Sequence, residues 1–204
     1  MKKIKIFLGI TIILFSCQET ALTPQEEQPF RILKASQADA NLVNTWSNSN
    51  LNDQIVREFD MKDIYEIIDV KNDVSILAAF NIKEHRAVAF VKNQVGEIGT
   101  AFITSSLQDQ KGNILSNVYT IDNNLSLSFT DYPNGERIIT YSSKNSNARI
   151  NGWWDTFDSC VGSFHNLFES NVANVVTIIV FDAVTLMGYS VGSLGFCAAV
   201  ASLE

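Results

Sequence analysis

From Ile64 to Ser142 the apolar positions recur every second residue, and short polar breaks interrupt them at regular intervals. That period predicts strands, because side chains alternate across a pleated backbone. The candidates are Ile64–Val70, Val74–Phe80, Arg86–Lys92, Ile98–Thr104, Ile114–Ile121, Leu125–Thr130 and Arg137–Ser142. Between them stand turn-forming residues: Lys71-Asn72-Asp73, Lys83-Glu84-His85, Val95-Gly96, Lys111-Gly112-Asn113, Asn123-Asn124 and Pro133-Asn134-Gly135. Connections this short oblige neighbouring strands to run antiparallel. Arg86–Lys92 is apolar on both faces, which places it mid-sheet. Leu125, Leu127 and Phe129 alternate with Ser126, Ser128 and Thr130, predicting one buried face and one wet face.

Helical spacing flanks this region. Ser36 precedes a pattern with Leu42, Val43 and Trp46 on one side, and Leu51, Ile55, Val56 and Phe59 resume it as far as Asp60. Beyond a polar stretch at 143–151, Trp153, Phe157, Val161, Phe164 and Phe168 recur every three or four residues. Val172–Met187 is then apolar on every side, Gly188 interrupts, and Tyr189–Leu203 is rich in Gly, Ala and Ser. The expected class is α+β: N-terminal helices, an antiparallel β-meander of five to seven strands, and a C-terminal apolar helical module. The expected organisation is a signal at 1–17, a flexible tether at 18–35 carrying Pro24 and Pro29, and a helix-plus-sheet domain at 36–142. A linker at 143–151 then leads into the helical module at 152–204.

The first residues decide where such a protein resides. Lys2, Lys3 and Lys5 precede Ile6–Phe15, which is apolar apart from Gly9 and Thr11, and Ser16-Cys17 follows. The apolar run spans only ~15 Å as a helix, about half of a hydrocarbon core. A charged start, a short apolar run and a small-residue exit mark an export signal. Leu14-Phe15-Ser16-Cys17 resembles the lipobox of bacterial lipoproteins. The resemblance implies cleavage before Cys17, a diacylglycerol on its sulfur, and a lipid anchor in the bacterial cell envelope. Gln18, in place of an aspartate, implies the outer membrane.

Cleavage before Cys17 removes three lysines and no acids, which takes the formal charge from −7 to −10. An acidic chain has no electrostatic reason to hold nucleic acid. The membrane is therefore expected as a partner through lipid on Cys17, alongside an unknown protein or small-molecule partner. Of three cysteines, one is assigned to lipid, which leaves Cys160 and Cys197. An oxidising compartment permits these two to pair as a disulfide.

From Val172 to Leu203 the single charge is Asp182, a candidate buried polar site with Tyr189, Trp153, Trp154 and Ser190 as possible donors. Gly188 and Gly192 form a GxxxG pair, which permits close helix approach in a membrane or in a tight soluble core. Gly152-Trp153-Trp154-Asp155, then Cys160-Val161-Gly162, an apolar stretch and a late cysteine resemble the C-terminal domain of halocin C8-like bacteriocin proteins. That resemblance implies a membrane-active helical effector behind a longer N-terminal region.

His85 and His165 stand 80 positions apart and form no motif, and no nucleophile elbow or phosphate loop occurs. Asp60, Asp63, Glu66 and Asp69 are spread as solvated acids and not as a calcium loop. No catalytic residue, metal site or cofactor is expected. The leading expectation is a lipid-anchored envelope protein with a non-enzymatic binding or structural role. A bacteriocin-like precursor is the alternative, and an envelope hydrolase ranks third.

Overall fold

The alternating segments pair in the order of the chain. The computed structural model describes residues 30–69, 74–143, 152–163 and 183–202. Its strands are β1 (Phe30–Lys34), β2 (Ile64–Asp69), β3 (Val74–Asn81), β4 (Arg86–Lys92), β5 (Ile98–Gln108), β6 (Ile114–Tyr119), β7 (Leu125–Asp131) and β8 (Arg137–Ser142). All are antiparallel, in the spatial order β1 to β8. The helices are α1 (Gln37–Asn50), α2 (Asp53–Glu58), α3 (Gly152–Ser163) and α4 (Ala183–Ala201).

One loop geometry builds most of the meander. In the loops after β4, β5, β6 and β7 the first residue donates to the carbonyl of the fifth, and the fourth donates back to the first, as in Asn93 N–H to Glu97 (2.8 Å) and Gly96 N–H to Asn93 (3.0 Å). The fourth residue takes a positive φ each time: Gly96, Gly112, Asn123 and Gly135. Glycine and asparagine are the residues that adopt this conformation at least cost. Asn93 and Asp109 add side-chain caps: each Oδ1 accepts the N–H groups two and four residues on.

Eight strands stand where five to seven were expected. The additional strand is β1, whose residues lie at the end of the stretch read as a tether. Arg31 and Lys34 gave it a polar look, yet Phe30 and Ile32 point to the side of the sheet that α4 covers. β5 runs four residues beyond Thr104, to Gln108. In β7 the serines do not face water: Ser126 and Ser128 are buried, whereas Leu125 is exposed. A bulge between Val118 and Tyr119 sets Leu125 opposite Tyr119 and Leu127 opposite Val118, which breaks the simple alternation.

Helices cover both faces of the central strands. On one side Leu77, Ala79, Val88, Phe90 and Ile103 pack with Val43, Ile55 and Phe59 of the N-terminal helical region. Ser36 caps α1 by accepting from Asp39 N–H, and Asn52 caps α2 by accepting from Ile55 N–H. Lys92 on β4 donates to the Asp39 carboxylate at 2.5 Å and holds it below the usual carboxylate range, fastening α1 to the sheet. On the other side Ile76, Ala78, Phe80, Ala87, Ala89 and Phe102 share a core with Phe157 and Val161 of α3 and with Leu186, Met187, Val191 and Leu194 of α4. β4, fourth of the eight strands, is buried on both faces, as its composition requires.

α4 is continuous through Gly188, where the sequence suggested an interruption. The glycine is instead the point of closest approach to β1. A Cβ there would lie 2.2 Å from Ile32 Cδ1 and 3.0 Å from its Cγ1. At Gly192 the nearest atoms are Ile67 Cγ2 at 3.3 Å and Phe30 Cβ at 3.5 Å. The GxxxG pair thus seats the helix on a strand. Gly188→Val is expected to cost roughly 1–3 kcal/mol through overpacking, measured by urea denaturation. Gly192→Ala should be near neutral, because ~1 kcal/mol of helix propensity offsets a small shift of Ile67.

Candidate functional site

Two clusters of polar side chains and one exposed apolar row stand out on this scaffold. The first is buried beneath α4. The register of the β7–β8 hairpin sets Asp131 opposite Arg137, and the guanidinium donates to both carboxylate oxygens at 2.5 and 2.9 Å. Both side chains are more than nine-tenths buried. Tyr189 of α4 donates its hydroxyl to Asp131 Oδ2 at 3.2 Å, and Arg137 lies 4.1 Å from the Phe129 ring centroid. Burial, with the Asp131 charge adding to it, pushes the Tyr189 hydroxyl well above the ordinary tyrosine range. Burial draws the Arg137 guanidinium down, but the carboxylate outweighs it and the net direction is upward.

Hydroxyls continue this polar seam under the helix. Thr104 Oγ1 lies 2.8 Å from Ser190 Oγ, which donates to Ser116 Oγ at 3.4 Å, and Ser116 also meets Ser106. Tyr189 and Ser190, considered above as partners for Asp182, thus bond to β5, β6 and β7. Such a seam fixes the rotation of α4, since an apolar helix on an apolar layer has little else to specify it.

The second cluster lies where α2 meets β4 and the β6–β7 loop. Arg86 reaches Glu58 at 2.5 Å through Nη1 and donates to Asn123 Oδ1 at 2.7 Å through Nη2. Its guanidinium rests over the rings of Tyr119 (5.5 Å) and Phe59 (6.0 Å). The charge is neutralised by Glu58, so the cluster ties α2 down and offers no cation for an anionic ligand. His85, just before it, has φ 51° and accepts Ser106 N–H at its carbonyl, which makes it a turn residue of the β3–β4 hairpin.

The third place is the face of β5–β8 on the side of α1 and α2, beyond the reach of their shared core. Leu107, Leu115, Thr130 and Ile138 stand in one cross-strand row by register. Leu107 is 57% exposed, Leu115 39% and Ile138 42%. Ser105, Asn117 and Ser128 form the adjoining row. The row is apolar at Leu107, Leu115 and Ile138, with Thr130 between the last two, and Ser105 and Asn117 line its margin.

The remaining expected positions divide plainly. Cys160 on α3 and Cys197 on α4 are brought to disulfide distance, with Cα atoms 5.4 Å apart. Cys17, Asp182 and His165 lie outside the described residues. Asp63 pairs with Lys34. Among the described residues no group of three or more His, Cys, Asp or Glu could hold a metal ion, and no helix is long and apolar enough to cross a membrane. No family model, curated protein or solved structure matches the chain.

The Asp131–Arg137–Tyr189 cluster was legible only in part. Opposite charges flanking a Pro-Asn-Gly turn suit a cross-strand pair, whereas nothing in the sequence links Tyr189 to them. Asp131→Ala strands a buried guanidinium and should cost roughly 3–5 kcal/mol, and Tyr189→Phe about 1 kcal/mol, both by urea denaturation. The raised Tyr189 hydroxyl also predicts a pH dependence. The unfolded chain releases this proton near the ordinary tyrosine pKa while the folded chain retains it, so stability falls as pH rises above ~10. Tyr189→Phe should flatten that alkaline loss.

Proposed function

We propose that the protein is a lipid-anchored component of the bacterial cell envelope with a non-enzymatic binding role. Membrane attachment is through lipid on Cys17, and the outer membrane is the destination that Gln18 favours. The observation that carries the binding role is the uncovered strip of Leu107, Leu115 and Ile138 on β5–β8. An apolar strip of aligned side chains with a polar margin suits a protein partner more than a charged ligand.

The rival reading is a bacteriocin-like precursor that releases its C-terminal helices as an effector. The shared core weighs against it. The ring of Phe157 on α3 lies tilted against that of Phe102 on β5 at 5.5 Å, and Tyr189 of α4 against Phe30 of β1 at 6.0 Å. Removing both helices would expose Ile76, Ala78, Ala87, Ala89 and Phe102 together. An envelope hydrolase ranks last, since neither polar cluster offers a nucleophile with its base.

Two measurements test the reading. Metabolic labelling with a radioactive fatty acid should mark the wild-type protein and leave Cys17→Ala unlabelled and released from the membrane fraction. Limited proteolysis should leave 143–151 uncut under native conditions, with one cooperative melt for the whole chain. Cleavage there into two separately folded pieces, with vesicle leakage caused by the C-terminal piece, would replace the binding role by the effector role.

A further inference from the structure

The two edges of the sheet are built differently. β1, at one edge, carries Arg31 and Lys34 within five residues, and charge on an edge strand discourages further pairing. β8, at the other, pairs among the described residues with β7 alone. Its four central residues, Ile138-Ile139-Thr140-Tyr141, are all exposed, and three of them are large and apolar. The strand's single charge, Arg137, is turned inward and neutralised by Asp131. In a chain of formal charge −7, an uncharged apolar strand at the edge of the described sheet is where two copies can meet without repulsion.

We propose that β8 pairs antiparallel with β8 of a second copy of this chain, joining the two sheets across a two-fold axis. The strand is polar at both ends, Arg137 and Ser142, and apolar between them, so its antiparallel copy presents apolar to apolar. The register supplies a second argument. Ser128 faces Tyr141 while Phe129 faces Ile139, so Thr140 is the additional residue of a bulge. That bulge puts Ile138 and Tyr141 on the same face, as partners of Thr130 and Ser128. A two-fold axis between Ile139 and Thr140 then sets Ile138 of one copy against Tyr141 of the other. Aromatic residues opposite β-branched ones are favoured cross-strand pairs. Arg137 and Ser142, both on the α4 side, meet at the ends. The strip on β5–β8 stays open and doubles across the axis, so a monomer would leave the binding role standing while removing the dimer.

The test uses the full chain as processed in cells. Tyr141→p-benzoylphenylalanine places a photo-crosslinker at the proposed contact, and irradiation should yield a covalent species of twice the monomer mass. Mass spectrometry should find the link on Ile138 or its neighbours in β8. The same crosslinker at Leu33, at the β1 edge, should give none. Adding Ile138→Lys should reduce the yield roughly tenfold or more, by charge repulsion across the axis. Ile139→Lys serves as a second variant if the first lowers the melting temperature. Monomer alone, links to a different protein, or a dimer crosslinked outside β8 would each overturn the proposal.

Discussion

Eight strands in an antiparallel meander leave apolar residues on both faces of β3, β4 and β5, and neither face can remain in water. That double burial is the constraint from which the other features follow. Ala78, Ala79, Ala87 and Ala89 keep the middle of the sheet thin, so helices on either side approach closely. α1 and α2 close one face with Val43, Ile55 and Phe59. α4, without a charged residue along its length, closes the other. At roughly 1.5–3 kcal/mol for each large apolar side chain buried, these layers supply most of the driving force for folding.

Apolar packing does not say how the helix must be turned. The polar seam beneath α4 does: Tyr189 reaches Asp131, and Ser190 sits between Thr104 and Ser116. Rotating the helix would leave these groups buried without partners, a cost larger than the packing differences among rotated states. Gly188 and Gly192 then let the helix settle against Ile32, Phe30 and Ile67. The Cys160–Cys197 pair holds α3 to α4, so the C-terminal helices act on the sheet together.

The sheet is covered unevenly. The α1–α2 core ends near Ile103 and Tyr119, and Leu107, Leu115 and Ile138 are left in water beyond it. At the margin β8 has neither a covering helix among the described residues nor a charge of its own facing solvent. A chain that invests Arg31 and Lys34 in guarding β1 while leaving Ile138, Ile139 and Tyr141 bare treats its two edges as different surfaces.

Much of this was legible from residue order alone. Alternation and turn residues determined the meander, since a loop with Gly or Asn at its left-handed position permits one hairpin geometry and fixes the pairing. The helix start at Ser36 and the two spare cysteines rest likewise on local patterns. Tertiary structure decided what local pattern cannot encode. β1 depends on a partner more than thirty residues away, so five residues with two cations read as tether until β2 is present. Gly188 breaks a helix in isolation and fits one against Ile32. Ser126 and Ser128 look wet until the bulges on either side of β7 turn them. The Asp131–Arg137–Tyr189 cluster joins residues 58 positions apart, and a buried charge finds its partners only when distant segments have already been brought together.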